Sequence, residues 1–180
     1  MKLFVTVNMS TYIKEEIMEI MPQLRSNITE GRFVPMDNLH ITMLFLGEVD
    51  KEKLSLVEKA MDESIKGIEP FVLMIEGLGV FPNEKHPNIL WAGVKGDIVV
   101  LNKLYGKLLE NIRKLGLPHD AKSSYTPHVT LARKIGDGYQ KGEISLKSKK
   151  WQVDSLELYE SLLSKDGIKY QKLFTKKFII

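Results

Sequence analysis

Apolar positions alternate between two periods along this chain. Lys2 to Val7 is an apolar, β-branched run, which predicts a strand. Ser10 then precedes a helical pattern to about Ser26, with Ile13, Ile17, Ile20 and Leu24 on one face. Asn38 to Leu46 reads as a strand closed by Gly47. Asp50 to Ile65 returns to helical spacing through Leu54, Val57, Ala60, Met61 and Ile65. Phe71–Val80 and Ile89–Val94 read as strands parted by the turn-forming Pro82-Asn83. Ile98 to Leu115 is an amphipathic helix stopped by Gly116 and Pro118. His128–Arg133 is a strand. Trp151–Leu163 and Ile168–Ile180 read as a closing hairpin across Asp166-Gly167. No linker or low-complexity tract divides these elements, so the expected class is α+β or α/β with helices covering sheet faces.

Composition narrows the chemistry. The chain has 180 residues and no cysteine, which excludes disulfides, thiolate metal sites and a cysteine nucleophile. No apolar run approaches a membrane span and no secretory leader is visible, so a soluble, cytoplasmic protein is expected. The charge is split. Residues 1–90 carry 9 Lys/Arg against 14 Asp/Glu, and residues 91–180 carry 17 against 9. A basic half fits an anionic partner, or merely a solvated lysine-rich surface.

Two of the four histidines share a pattern: His40-Ile41-Thr42-Met43 and His128-Val129-Thr130-Leu131. Chance places two His-x-Thr hits among four histidines only about 1% of the time. Within a strand, residues i and i+2 share a face. His40 with Thr42, and His128 with Thr130, therefore each present an imidazole beside a hydroxyl, backed by apolar residues. The copies lie near half the chain length apart, which suggests two lobes each giving one strand to a shared cleft. Imidazole is the side chain best suited to move protons near neutral pH, and threonine hydroxyls donate well to an anionic oxygen. In-line phosphoryl transfer fits this set, one histidine as base and the other as acid. No His-Glu-x-x-His motif, acidic cluster, Walker loop or Gly-x-Gly-x-x-Gly occurs, so neither metal nor cofactor is expected. Alternation puts Arg133 on the face opposite His128 and Thr130, where only a bend or bulge would bring it in, so it is left outside the site. Trp91 is assigned to core packing, Tyr125 to either packing or base stacking, and His86 and His119 to exposed loops.

The chain resembles the two-histidine phosphoesterase superfamily, most closely the RNA 2′,3′-cyclic phosphodiesterases historically called 2′-5′ RNA ligases. The likeness is carried by Asn38-Leu39-His40-Ile41-Thr42-Met43-Leu44-Phe45-Leu46-Gly47-Glu48, by Gly79–Asn83 with Leu90–Val94, by Pro127–Arg133, and by the late Leu156–Ser161 and Gly167–Tyr170 blocks. It departs at Asn88, where the family often has Arg, and at Ser123-Ser124-Tyr125, where it often has Arg-Pro and an aromatic. The resemblance implies one bilobal, pseudo-twofold α+β domain over residues 1–180, with antiparallel sheets lining a central cleft and helices outside. It also implies opening of 2′,3′-cyclic phosphates on RNA ends or small nucleotides to 2′-phosphates. His40 would be the proton donor, His128 the proton acceptor, and Thr42 and Thr130 the phosphate ligands. A monomer is expected. Rival readings are a phosphodiesterase for another linkage such as 2′-5′, a non-catalytic RNA- or nucleotide-binding module, and the reverse ligation of RNA halves.

Overall fold

The computed structural model describes residues 1–139 and 142–179. Its elements are β1 (Lys2–Val7), α1 (Thr11–Ser26), β2 (Arg32–Phe33), β3 (Ile41–Glu48), α2 (Leu54–Ile65), β4 (Phe71–Phe81), β5 (Ile89–Gly96), α3 (Ile98–Lys114), β6 (His128–Arg133), β7 (Lys147–Val153), β8 (Ser155–Ser164) and β9 (Gly167–Lys177). Single 3-10 turns at Met36–Asn38 and Lys51–Lys53 precede β3 and α2.

The named strands form one sheet in the order β7-β4-β5-β6-β3-β1-β8-β9, with β2 also on β6, and every pairing is antiparallel. The expected two lobes are its two halves. A strand–helix–strand unit recurs in them, β1-α1-β3 in one and β5-α3-β6 in the other, each ending on a His-x-Thr strand. The motif strands meet at the centre of the sheet, so the halves join where the histidines lie.

The helices bury the stripes their periodicity predicts, with one substitution. Met21 fills the α1 face together with Ile13, Ile17 and Leu24, while Ile20 stays half-buried. Against β7, α1 is fixed by Glu16, which accepts from the Lys149 N–H at 2.9 Å, and by the Tyr12 hydroxyl, which donates to the Lys150 carbonyl at 2.7 Å. The α3 stripe is Leu101, Leu104, Leu108 and Ile112. Asn111 of α3 donates to the buried Ser64 hydroxyl of α2 at 3.1 Å, and Lys176 of β9 pairs with Glu58 and Asp62 of α2.

Two strand readings change. Gly47 does not close β3; the strand runs through it with φ near +72°, a conformation glycine adopts without a Cβ penalty. Trp151–Leu163 is not one hairpin arm. It breaks at Asp154 into β7, which pairs with β4, and β8, which pairs with β1. One residue spans at most about 3.6 Å, so it can join these distant strands only because the sheet curls and brings its flanks together. Asn8 locks the crossover: its side-chain oxygen accepts from the N–H groups of Asp154 and Ser155 at 2.9 and 3.1 Å, and its carbonyl accepts from the Trp151 indole at 3.0 Å. The β8–β9 hairpin forms, but it turns at Lys165-Asp166, one residue earlier than the expected Asp166-Gly167; Ile180, the last residue assigned to it, lies outside the described residues.

Candidate active site

β3 and β6 are joined through Ile41↔Val129. That antiparallel register sets His40 across from Thr130 and Thr42 across from His128. Each imidazole therefore has a hydroxyl beside it on its own strand and another from the facing strand. The structure brings all four sequence-predicted residues together on one face, half-buried, while Ile41, Val129, Met43 and Leu131 fill the core behind them.

Both rings are held in the same way. His40 Nδ1 lies 2.7 Å from the Asn38 carbonyl, and His128 Nδ1 lies 2.7 Å from the Thr126 carbonyl. A carbonyl only accepts, so Nδ1 carries the hydrogen in each ring and Nε2 is left for proton exchange. Aromatic rings flank each imidazole. Phe4 and Tyr170 sit 5.0 and 5.2 Å from His40, and Phe81 and Trp91 sit 5.0 and 6.3 Å from His128. Trp91 therefore lies beside the site rather than simply filling core, stacked on Phe81. It lies flat over Gly79, where a Cβ would come within 2.1 Å of the indole. Tyr125 is a strut: its hydroxyl donates to the Thr42 carbonyl at 3.0 Å and its ring stacks on Tyr105 of α3.

Arg133 corrects the sequence reading. In β3 the pairing with β1 skips Met43, and in β6 the pairing with β5 skips Leu131. Each bulge lies three residues after its histidine. It leaves two consecutive buried residues, Met43-Leu44 and Leu131-Ala132, and resets the alternation. Phe45 and Arg133, both five residues after a histidine, thereby return to the histidine face. Strict alternation, which placed Arg133 opposite, fails at this extra residue. The adjacent apolar pairs are the sequence signal that could have found it. His86 lies in an exposed loop as expected. His119 is half-buried, its Nδ1 3.1 Å from the Leu117 carbonyl, and lines neither cavity described below.

The site disfavours imidazolium. Burial pushes His40 down to about 4, against the pull of the Asn38 carbonyl, with Arg133, Lys14 and His128 adding to the depression. Burial also lowers His128, helped by Lys122 and Arg133. Two cavities flank the pair. One of about 380 Å³ is lined by Thr42, His128, Phe45, Phe81 and Tyr125 among others. One of about 210 Å³ opens beside His40. Among the described residues, no three His, Asp or Glu side chains are gathered as a metal site would require.

Fold and paired motifs together are those of a two-histidine phosphoesterase. The family described as LigT like Phosphoesterase matches residues 7–91. A protein of Archaeoglobus fulgidus named RNA 2′,3′-cyclic phosphodiesterase is 33% identical over 178 residues, covering 96% of this chain and 98% of its own. One of the same name from Thermotoga maritima is 27% identical over 182 residues, covering 99% and 96%. Among solved structures, a Thermus thermophilus protein superposes with a TM-score of 0.83 at 24% identity, covering 99% of this chain and 98% of that one. E. coli LigT complexed with 3′-AMP gives 0.79 at 23%, covering 98% and 97%. The chain belongs to the RNA 2′,3′-cyclic phosphodiesterase family of LigT-like phosphoesterases, a family of enzymes.

Proposed function

We propose that this protein hydrolyses 2′,3′-cyclic phosphate ends of RNA or nucleotides to 2′-phosphomonoesters by two-histidine acid–base catalysis without a metal. The observation that carries the reading is the β3–β6 register, which puts two Nδ1-anchored imidazoles and two threonines on one face. The names of the relatives and the 3′-AMP complex of E. coli LigT support the substrate class. His128 Nε2 takes a proton from water as the water oxygen bonds to phosphorus. The P–O3′ bond breaks, and His40 Nε2 gives its proton to O3′. Thr42, Thr130 and Arg133 face the non-bridging oxygens, where their donors oppose the charge that builds in the transition state.

His40 must be protonated for this, and in the free protein it is not. The substrate supplies the correction. A phosphate anion about 4 Å from the ring contributes roughly 4 kcal/mol at an effective dielectric constant near 20, equivalent to about three pK units. That is enough to cancel the depression from 6.5 to about 4. Binding and protonation of His40 are therefore coupled.

The larger cavity favours a second reading of the same site. It lies on the His128 side, where hydrolysis needs only water, and it is wide enough for a nucleoside alcohol in water's place. The same proton transfers would then join a 2′-5′ linkage, and run backwards they would cleave one. The single continuous sheet supports one two-lobed domain, and we read it as a cytoplasmic monomer; no described helix is long and apolar enough to cross a membrane. Incubating the protein with adenosine 2′,3′-cyclic phosphate in EDTA, and resolving products against authentic 2′- and 3′-AMP, tests the reading. A single 2′-phosphate product is expected. No turnover, or turnover only on restoring metal, would overturn it.

A further inference from the structure

The smaller cavity is lined by His40 at one end, and the rest of its wall is charged. It lies beside His40, floored by Thr6 and Glu157, with Thr11 and Lys14 from the first turn of α1 on one side and Lys172 on another. Glu157 is nearly buried and already committed: one carboxylate oxygen holds Lys172 at 2.7 Å and the other accepts from the Tyr159 hydroxyl at 3.0 Å. Asp37 stands exposed at the rim. Lys14 is different. Among the described residues its ammonium has no hydrogen bond and no carboxylate within 4 Å. Burial holds its pKa below the usual lysine value even though Glu157 and Asp37 pull it up, so its charge is under-compensated. The first turn of α1 has no acidic residue and Ser10 makes no side-chain cap bond, so the helix terminus adds positive potential near Lys14.

The position suits one group. In the proposed reaction the ribose whose O3′ leaves stands on the His40 side. Lys14 and His40 line the same cavity of about 210 Å³, which puts the two within about one nucleotide of each other. From these placements we propose that the cavity is a subsite for the phosphate on the 5′ side of the nucleotide bearing the cyclic end, with Lys14 as its cation. This rests on the reading of the function above. It makes the enzyme a reader of RNA ends rather than of isolated nucleosides, and it draws the recognising cation from the acidic half of the chain.

The test compares adenosine 2′,3′-cyclic phosphate with its 5′-phosphorylated form and with the dinucleotide ApA ending in a 2′,3′-cyclic phosphate. The wild-type protein should prefer both phosphorylated substrates. Lys14→Gln should collapse that preference in kcat/KM about tenfold, and Lys14→Arg should keep most of it. The log–log salt slope for the dinucleotide should be steeper than for the nucleoside by about 0.7, the value for one single-strand phosphate, and this excess should vanish in Lys14→Gln. A preference unchanged by Lys14→Gln, or no preference at all, would overturn the subsite while leaving the hydrolase reading intact. A preference confined to the 5′-monoester would overturn the assignment to RNA. Failure of the wild-type protein to open even the nucleoside substrate would sink the hydrolase reading, and the subsite with it.

Discussion

Each imidazole of the His40–His128 pair has one nitrogen tied to a carbonyl two residues back, which leaves Nε2 as the nitrogen open to exchange. Because both rings are depressed and His40 titrates near 4, substrate binding at pH 7 should draw a proton from solution. Titration calorimetry with 2′-AMP in buffers of different ionisation enthalpy should show net proton uptake, and His40→Ala should abolish most of it. In kinetics, His40→Ala and His128→Ala should each lose on the order of 10²- to 10⁴-fold in kcat, the usual span for a general acid or base. The double mutant should be little worse than either single, since the two act in one step. Thr42→Ala and Thr130→Ala should lose less, on the order of 10- to 1000-fold. Fully active histidine mutants would remove the mechanism.

The bulges govern the element scale. Much of the site was legible because its spacing is local: His and Thr two apart in a strand need no partner to share a face. The rest depends on neighbours. Arg133 reaches the histidine face through an extra residue, hinted at in the sequence by the adjacent apolar pair Leu131-Ala132 and located by the pairing with β5. Phe4 and Trp91 come from the strands beside the motifs, and Tyr170 and Phe81 from strands further out in the sheet, at no fixed distance along the chain. The break at Asp154 was hidden because alternation carries no record of which strand lies alongside, and β2 is too short for any period to show. The bulge makes its own prediction. Deleting Leu131 should restore regular alternation in β6 and turn Arg133 from the histidine face. Loss of phosphate affinity in the deletion should match that in Arg133→Ala, measured by inhibition with inorganic phosphate, while far-UV dichroism stays native.

At the scale of the whole molecule, the burial that tunes the site also governs stability. The folded-state pKa of His40 lies below its unfolded value, so the unfolded chain binds more protons between those values. Stability should be fully present above about pH 6.5 and should fall as pH drops toward about 4, by no more than about 3.5 kcal/mol for this residue. Thermal unfolding across that window should show the slope, and His40→Gln should flatten it. Asn8 is the other lever. Asn8→Ala leaves the Asp154 and Ser155 N–H groups without their acceptor, a loss of about 1–3 kcal/mol in denaturant unfolding.

The crossover at Asp154 has a mechanical meaning. The two half-sheets are fastened twice, at the β3–β6 seam and again where β7 passes into β8. Two flaps sharing one hinge can swing; two flaps also tied at their far sides cannot. The cleft is thus a fixed mould, its width set before any substrate arrives, and the enzyme has no jaw to shut. Turnover should not wait on a closing motion. The kcat for a small cyclic nucleotide should stay constant as sucrose raises the viscosity, and an inverse dependence on viscosity would reveal a gate that this double fastening forbids.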